Sequence, residues 1–311
     1  MGYGSYNAND WKKLKKSKNI SASSTEKEIF VRKEINPKFD PKYIGTREAR
    51  DSQDHPNSTP IILGLDVTGS MGYLASEIAS NALNETMMKL YSTKAVEDPA
   101  IMFAAYGDFL DDAPLQVTQF ESDIRIAEQL MDLWLELHGQ GMVAPEYLWY
   151  FAARHTSLDA YEKKKKKGFL FTIGDNADVR PMNTARKSAD DYVDPEQFRE
   201  VFGEEPEEGM TIEKIVKEAS QKFEIFHLTI PTAYTQNEIP EYFNRLLPGH
   251  VLSLHREEYK MLPEILISIM QVMNGADKEE VIKSWEEMKR ATVKRILQQL
   301  PTTKNGQEIV F

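Results

Sequence analysis

The chain has no cysteine, so it can form neither a disulfide nor a thiolate metal site. It has no apolar run of the roughly 20 residues needed to cross a bilayer, and no secretory signal at its start. Together these absences lead to the expectation of a cytoplasmic protein that does not enter a membrane. Positive charge is scarce, with 38 Lys and Arg against 49 Asp and Glu and a net charge of −11. Residues 1–60 run against that trend: 12 basic and 8 acidic residues give +4, which leaves −15 on residues 61–311. So acidic a body neutralises phosphate poorly, which argues against nucleic-acid binding and suits a cation or a basic partner. The common enzyme signatures are also missing: no Gly-x-x-x-x-Gly-Lys loop, no Gly-x-Ser-x-Gly elbow, no His-Glu-x-x-His. No repeat of 20–50 residues is evident.

What the chain does have is organised around Ile61-Ile62-Leu63-Gly64-Leu65-Asp66-Val67-Thr68-Gly69-Ser70-Met71-Gly72. The apolar run predicts a strand buried on both faces, as in a parallel sheet. Beyond Gly72, Leu74, Ile78, Ala82, Leu83, Met87 and Leu90 recur at helical spacing. Asp66, Thr68 and Ser70 therefore stand at the carboxyl end of a strand, where open α/β sheets bind ligands. One carboxylate and two hydroxyls on one turn are hard-cation donors, suited to Mg2+. The same turn reads equally as a helix start, with Thr68 and Ser70 as caps and Asp66 favouring the positive end.

Further apolar runs predict strands at 100–106, 168–174, 223–230 and 250–255, with an alternating run at 115–120 as an antiparallel edge. The spacing predicts helices over Ser122–Leu137, from Pro145 to about Tyr161, near Thr211–Lys222 and over Leu262–Met273. The excursion 176–210 is polar and acidic, with room for at most a short helix, and Lys163–Lys167 reads as a solvated turn. Asp277-Lys278-Glu279-Glu280 resembles a capping box opening a last helix, with Val281, Trp285, Met288 and Ile296 on one face. His155 and His227 lie in regular elements and read as packed or surface histidines, and His250 and His255 match no metal spacing. The layout is thus an α/β fold with a doubly wound, mostly parallel sheet and one antiparallel edge strand. The domains are a basic extended arm or tail at 1–59 with a short strand at Ile29-Phe30-Val31, a core at 60–275, and a C-terminal helix and tail at 276–311.

Asp66-Val67-Thr68-Gly69-Ser70 resembles the metal-ion-dependent adhesion site of von Willebrand factor A domains, Asp-x-Ser-x-Ser, with Thr68 in place of the first serine. The order of elements from about residue 60 to 275 is similar as well. Asp175, in Phe171-Thr172-Ile173-Gly174-Asp175, looks like the aspartate that follows the fourth strand and completes that site. Tyr106-Gly107-Asp108 and the loop Gly139-Gln140-Gly141-Met142-Val143-Ala144-Pro145-Glu146 are similar to intracellular members, including bacterial and phage ones. The resemblance implies a Rossmann-like fold and a metal site of Asp66, Thr68, Ser70 and Asp175. One departure stands out: relatives carry Thr or Asp in the middle loop about where this chain has Val143. Either water completes the shell, or Asp108 or Glu146 substitutes, or the site is degenerate.

The function implied is a divalent-metal-dependent adaptor, not an enzyme, whose Mg2+ accepts a carboxylate from a partner protein; an AAA+ ATPase is the partner class suggested by intracellular relatives. A second reading is an assembly subunit of a bacterial or phage complex, with homo-oligomers joined by the basic arm and the last helix. A third is a Mg2+-dependent phosphohydrolase with Asp66 as nucleophile. It lacks the second aspartate of Asp-x-Asp, because Thr68 stands there.

Overall fold

The apolar runs of the sequence lie side by side in the computed structural model, which describes residues 4–21, 23–108, 111–137, 143–175, 195–231 and 241–301. The strands are β1 (Arg47–Ala49), β2 (Thr59–Asp66), β3 (Pro99–Tyr106), β4 (Leu115–Val117), β5 (Thr156–Leu158), β6 (Gly168–Gly174), β7 (Phe223–Thr229) and β8 (Val251–Ser253). Six of them form one sheet in the order β4-β3-β2-β6-β7-β8. Only β4 runs antiparallel, paired to β3 at one edge. The fold is α/β and doubly wound, as the sequence predicts. β2 lies inside the sheet. From it the chain moves outward to β3 on one side, then returns to β6 on the other. The winding therefore reverses between the carboxyl ends of β2 and β6, the crevice in which such sheets bind ligands.

Alternation along β2 sends Ile61, Leu63 and Leu65 into one core layer and Ile62 into the other. The first layer is covered by the helical run Gly72–Thr93, which contains a π-helical turn at Ile78–Ala82, and by the helix Leu262–Met273. The second is covered by the helices Pro145–Arg154 and Ile212–Lys222. Gly64 permits the close approach of Pro145–Arg154, because a Cβ there would lie 2.3 Å from Leu148 Cδ2.

Several expectations give way. Residues 4–59 are neither extended nor a tail. Ala8–Ser17 is a helix capped by Asn7, and its Trp11 and Leu14 are buried in the first core layer. Their three-residue spacing put one apolar stripe among the lysines. Glu26–Ile29 is helical in place of the strand expected at 29–31, with Thr25 and Glu28 forming a capping box. The helix expected over 122–137 covers only Arg125–Leu130. Buried Gln116 captures the backbone of Trp134 instead, accepting from its N–H at 3.0 Å and donating to its carbonyl at 2.7 Å. The helix from Pro145 stops at Arg154, and Thr156–Leu158 becomes β5, paired in parallel with β1. Lys222 Nζ caps the freed carbonyls of Ala153 and Thr156. The last helix is two, Lys278–Ser284 and Glu287–Leu297, with Asp277 capping the first. Trp285 is pinned between them by its indole bond to Ser268, which turns Met288 out to solvent. Residues 139–142 of the middle loop and 176–194 of the excursion lie outside the described residues.

Candidate metal centre

Asp66 is the last residue of β2, and strand pairing sets Ile173 of β6 beside Leu65, so Gly174 and Asp175 come up next to it. The Asp66 side chain is fully buried. Its Oδ1 accepts the Thr68 hydroxyl at 2.6 Å and the Thr68 N–H at 2.9 Å. The side-chain caps expected of a simple helix start are not made. The Thr68 hydroxyl goes to Asp66, and the helix Gly72–Glu77 begins at Met71 with no side-chain cap. The Thr68 carbonyl closes the turn by accepting from the N–H groups of Met71 and Gly72. Ser70 stands half-buried on the same turn.

The second carboxylate oxygen is the informative atom. Asp66 Oδ2 is buried and has no hydrogen-bond partner among the described residues. Neither Asp66 nor Asp175 forms an ion pair there, and Asp175 is itself buried. Burial pushes the Asp66 carboxyl up to about 7, and the charge of Asp175 adds to the rise. The Thr68 hydroxyl and N–H and the Asp175 backbone pull the other way; the Asp175 amide does so without a hydrogen bond of normal geometry. Two buried carboxylates held together without a countercharge are costly, and a cation removes that cost.

The donor set fits a hard divalent cation. Among the described residues no three His, Cys, Asp or Glu side chains converge as metal ligands. A cation here would draw on the carboxylates of Asp66 and Asp175 and the hydroxyls of Thr68 and Ser70, leaving other positions to water or a partner. The structure separates the two proposed substitutes. Asp108 is buried in the loop after β3, where its backbone bridges Val143 and its N–H donates to Asp111 Oδ2 at 2.9 Å. Glu146, buried in the first turn of Pro145–Arg154, accepts the Tyr242 hydroxyl at 2.7 Å. Its charge is felt at Tyr106, together with those of Asp66 and Asp175.

Sequence reasoning places Tyr106 only in the Tyr106-Gly107-Asp108 turn and misses its place beside Asp66. It pairs with Asp66 across β2 and β3. Burial, then Asp66, Asp175 and Glu146, hold its phenol well above the ordinary range, against a weak opposing effect of the Ile173 backbone. Gly174 makes this crowding possible: a Cβ there would meet Tyr106 Oη at 2.9 Å and Asp66 Oδ2 at 3.0 Å. The sequence signals were an aromatic closing a buried strand and the Tyr106-Gly107-Asp108 turn that follows it. Tyr73, at the start of the following helix, is pushed up to about 12 by burial first, then by Tyr259, with Asp175 contributing. His155, His227 and His250 stay outside the site. His227 Nδ1 meets Thr172 Oγ1 at 2.8 Å, His250 Nδ1 meets the Ile225 carbonyl at 2.9 Å, and His155 lies between Gly45 and Glu204.

No protein-family model and no curated protein sequence matches the chain. Among solved structures, it is similar to the pilus adhesin SpaC from Lactobacillus rhamnosus GG in its open conformation, at 9% identity and a TM-score of 0.43. That match covers 73% of this chain and 31% of SpaC, so the chain spans about a third of that protein's length. It is similar to BatB from Bacteroides thetaiotaomicron at 13% identity and a TM-score of 0.35, covering 68% of this chain and 98% of that one. It is similar to a von Willebrand factor type A protein from Catenulispora acidiphila at 12% identity and a TM-score of 0.35, covering 68% and 43%.

Proposed function

We propose that the chain is a divalent-cation-dependent protein-binding module whose site is Asp66, Thr68, Ser70 and Asp175. The observation that carries this reading is the buried, unpartnered Oδ2 of Asp66 beside Asp175, at the crevice where the sheet reverses its winding. Thr68 fixes the Asp66 carboxylate by bonding Oδ1, so that Oδ2 is the oxygen left to face a ligand. Gly174 keeps that space clear of side chain. A bound Mg2+ would supply positive charge that two aspartates only partly neutralise, and with it affinity for a carboxylate on a partner protein. A hydroxyl at Thr68, where a phosphohydrolase would hold a second carboxylic acid, supports the binding reading over the enzymatic one; hydrolysis of a generic aryl phosphate would overturn it.

The test is thermal melting of the full chain in magnesium or EDTA. With Mg2+ at about 100 times its Kd, the native state gains about 2.7 kcal/mol, and its melting point rises accordingly. No shift at millimolar Mg2+, with or without an added carboxylate ligand, sinks the proposal. An AAA+ ATPase is the partner class the sequence resemblance implies, and a pull-down with such a protein, with and without chelator, tests that finer step.

A further inference from the structure

The hydroxyl of Tyr106 has no assigned work. Its oxygen is fully buried and makes no hydrogen bond of normal geometry among the described residues; the Ile173 backbone acts on it only weakly. A buried phenol normally finds a partner, since leaving it unsatisfied costs roughly 1–3 kcal/mol. Yet the group is surrounded by acceptors: Asp66, Asp175 and Glu146 all act on it electrostatically. Its position is narrow as well. Tyr106 Oη and Asp66 Oδ2 flank one point, the place where a Cβ on Gly174 would stand, at 2.9 and 3.0 Å. Two orphaned buried oxygens, one from a donor and one from an acceptor, thus face the same small space from neighbouring strands.

From this geometry we infer that Tyr106 is the positioning residue of the cation site, its phenol O–H being the inner-wall donor to the oxygen atoms that surround the bound ion. The inference rests on reading Asp66 and Asp175 as that site. Thr68 bonds one oxygen of the Asp66 carboxylate, and the Tyr106 hydroxyl stands beside the other across the point above Gly174. Such supporting hydrogen bonds tune an ion's affinity without touching the ion. Glu146 acts on the phenol electrostatically and accepts the Tyr242 hydroxyl. It lies in the first turn of Pro145–Arg154, just after the middle loop that has Val143 where a ligating hydroxyl would be expected.

The substitution Tyr106→Phe keeps the ring and deletes only the donor. Two measurements on the full chain test it: Mn2+ affinity, from the electron paramagnetic resonance signal of free Mn2+, and melting in EDTA. The expected result is a Mn2+ Kd raised about tenfold or more, with the EDTA melting point unchanged or higher because an unsatisfied buried hydroxyl has gone. Wild-type affinity in Tyr106→Phe overturns the inference and leaves the site intact. Loss of affinity in step with loss of EDTA stability also overturns it, because the hydroxyl would then be structural. Absence of Mn2+ binding by the wild type overturns the cation site itself, and this inference with it.

Discussion

Asp66 and Glu264 are both carboxylates buried at the edge of one core, and the chain treats them in opposite ways. Glu264 opens the helix Leu262–Met273 and receives two lysines on the same oxygen: Lys289 at 2.5 Å, and Lys89 from the helix Leu83–Thr93. Lys89 also lies 5.1 Å from the centre of the Trp285 ring. Burial alone would raise the Glu264 carboxyl, but hydrogen bonds from Lys289 and Lys89 outweigh it and hold the group below the ordinary glutamate range. Asp66 has another carboxylate beside it and is pushed up to about 7. Where a buried charge serves the fold, this chain neutralises it with its own side chains. Asp66 lacks such a partner at the place where the sheet topology favours a ligand, and that contrast supports the proposed binding role.

Breaking the compensated carboxylate should have the largest effect. Glu264→Ala leaves two ammonium groups at the junction of three helices with only the half-exposed Glu85 as a carboxylate partner. Removing one partner of a buried pair typically costs 3–5 kcal/mol. Lys89 and Lys289 keep 22% and 24% of their side-chain surface, so solvent screens part of that loss. A loss of about 2–3 kcal/mol is expected in urea denaturation, equal in magnesium and in EDTA. A loss that depended on magnesium would dissolve the contrast.

The uncompensated carboxylate should respond with the opposite sign. Asp66→Asn keeps an oxygen to accept from Thr68 and removes the charge that faces Asp175. In EDTA at neutral pH the variant should melt at or above the wild-type temperature, with a gain on the order of 1 kcal/mol. Its magnesium-dependent shift should vanish, because stabilisation by a ligand requires binding to the native state. If Asp66→Asn unfolds the protein in EDTA, Asp66 is a structural group like Glu264.

Much of this was legible from composition along the chain. Continuous apolar runs ending on Asp66 and Asp175 gave strands and their rim, because a strand buried on both faces leaves an unbroken apolar signature. The places where local reading failed depend on distant partners. Gln116 unwinds the end of the helix expected over 122–137 from a strand 18 residues away. β1 draws Thr156–Leu158 out of a helical pattern through pairing that no window of sequence contains. The sequence marks Tyr106 as part of a turn and Glu146 as a substitute ligand, but their relation to each other and to Asp66 stays hidden for the same reason. Their nearness to Asp66 follows from the β2–β3 register and from a helix packed on one face of the sheet.

His227 sharpens the comparison with a third way of burying a titratable group, which is to discharge it. It lies in β7, stacked on Phe243 at 3.8 Å between ring centres. Its Nδ1 lies 2.8 Å from Thr172 Oγ1, and its Nε2 has no partner among the described residues. Burial lowers the imidazole to about 3. Between that value and the unfolded value of roughly 6.5, the unfolded chain binds a proton that the native chain refuses. Stability therefore falls as pH drops through this window, by up to about 1.4 kcal/mol per pH unit from this one group. Above pH 7 both states are neutral and the effect disappears, which makes it the smallest of the three under ordinary conditions. His227→Gln removes the titration. Urea denaturation of wild type and variant in EDTA between pH 7.5 and 5 should show the variant losing less stability on acidification, by nearly one proton's worth of slope at the acid end. Equal slopes would mean that His227 protonates in the native state, and that this part of the core admits water.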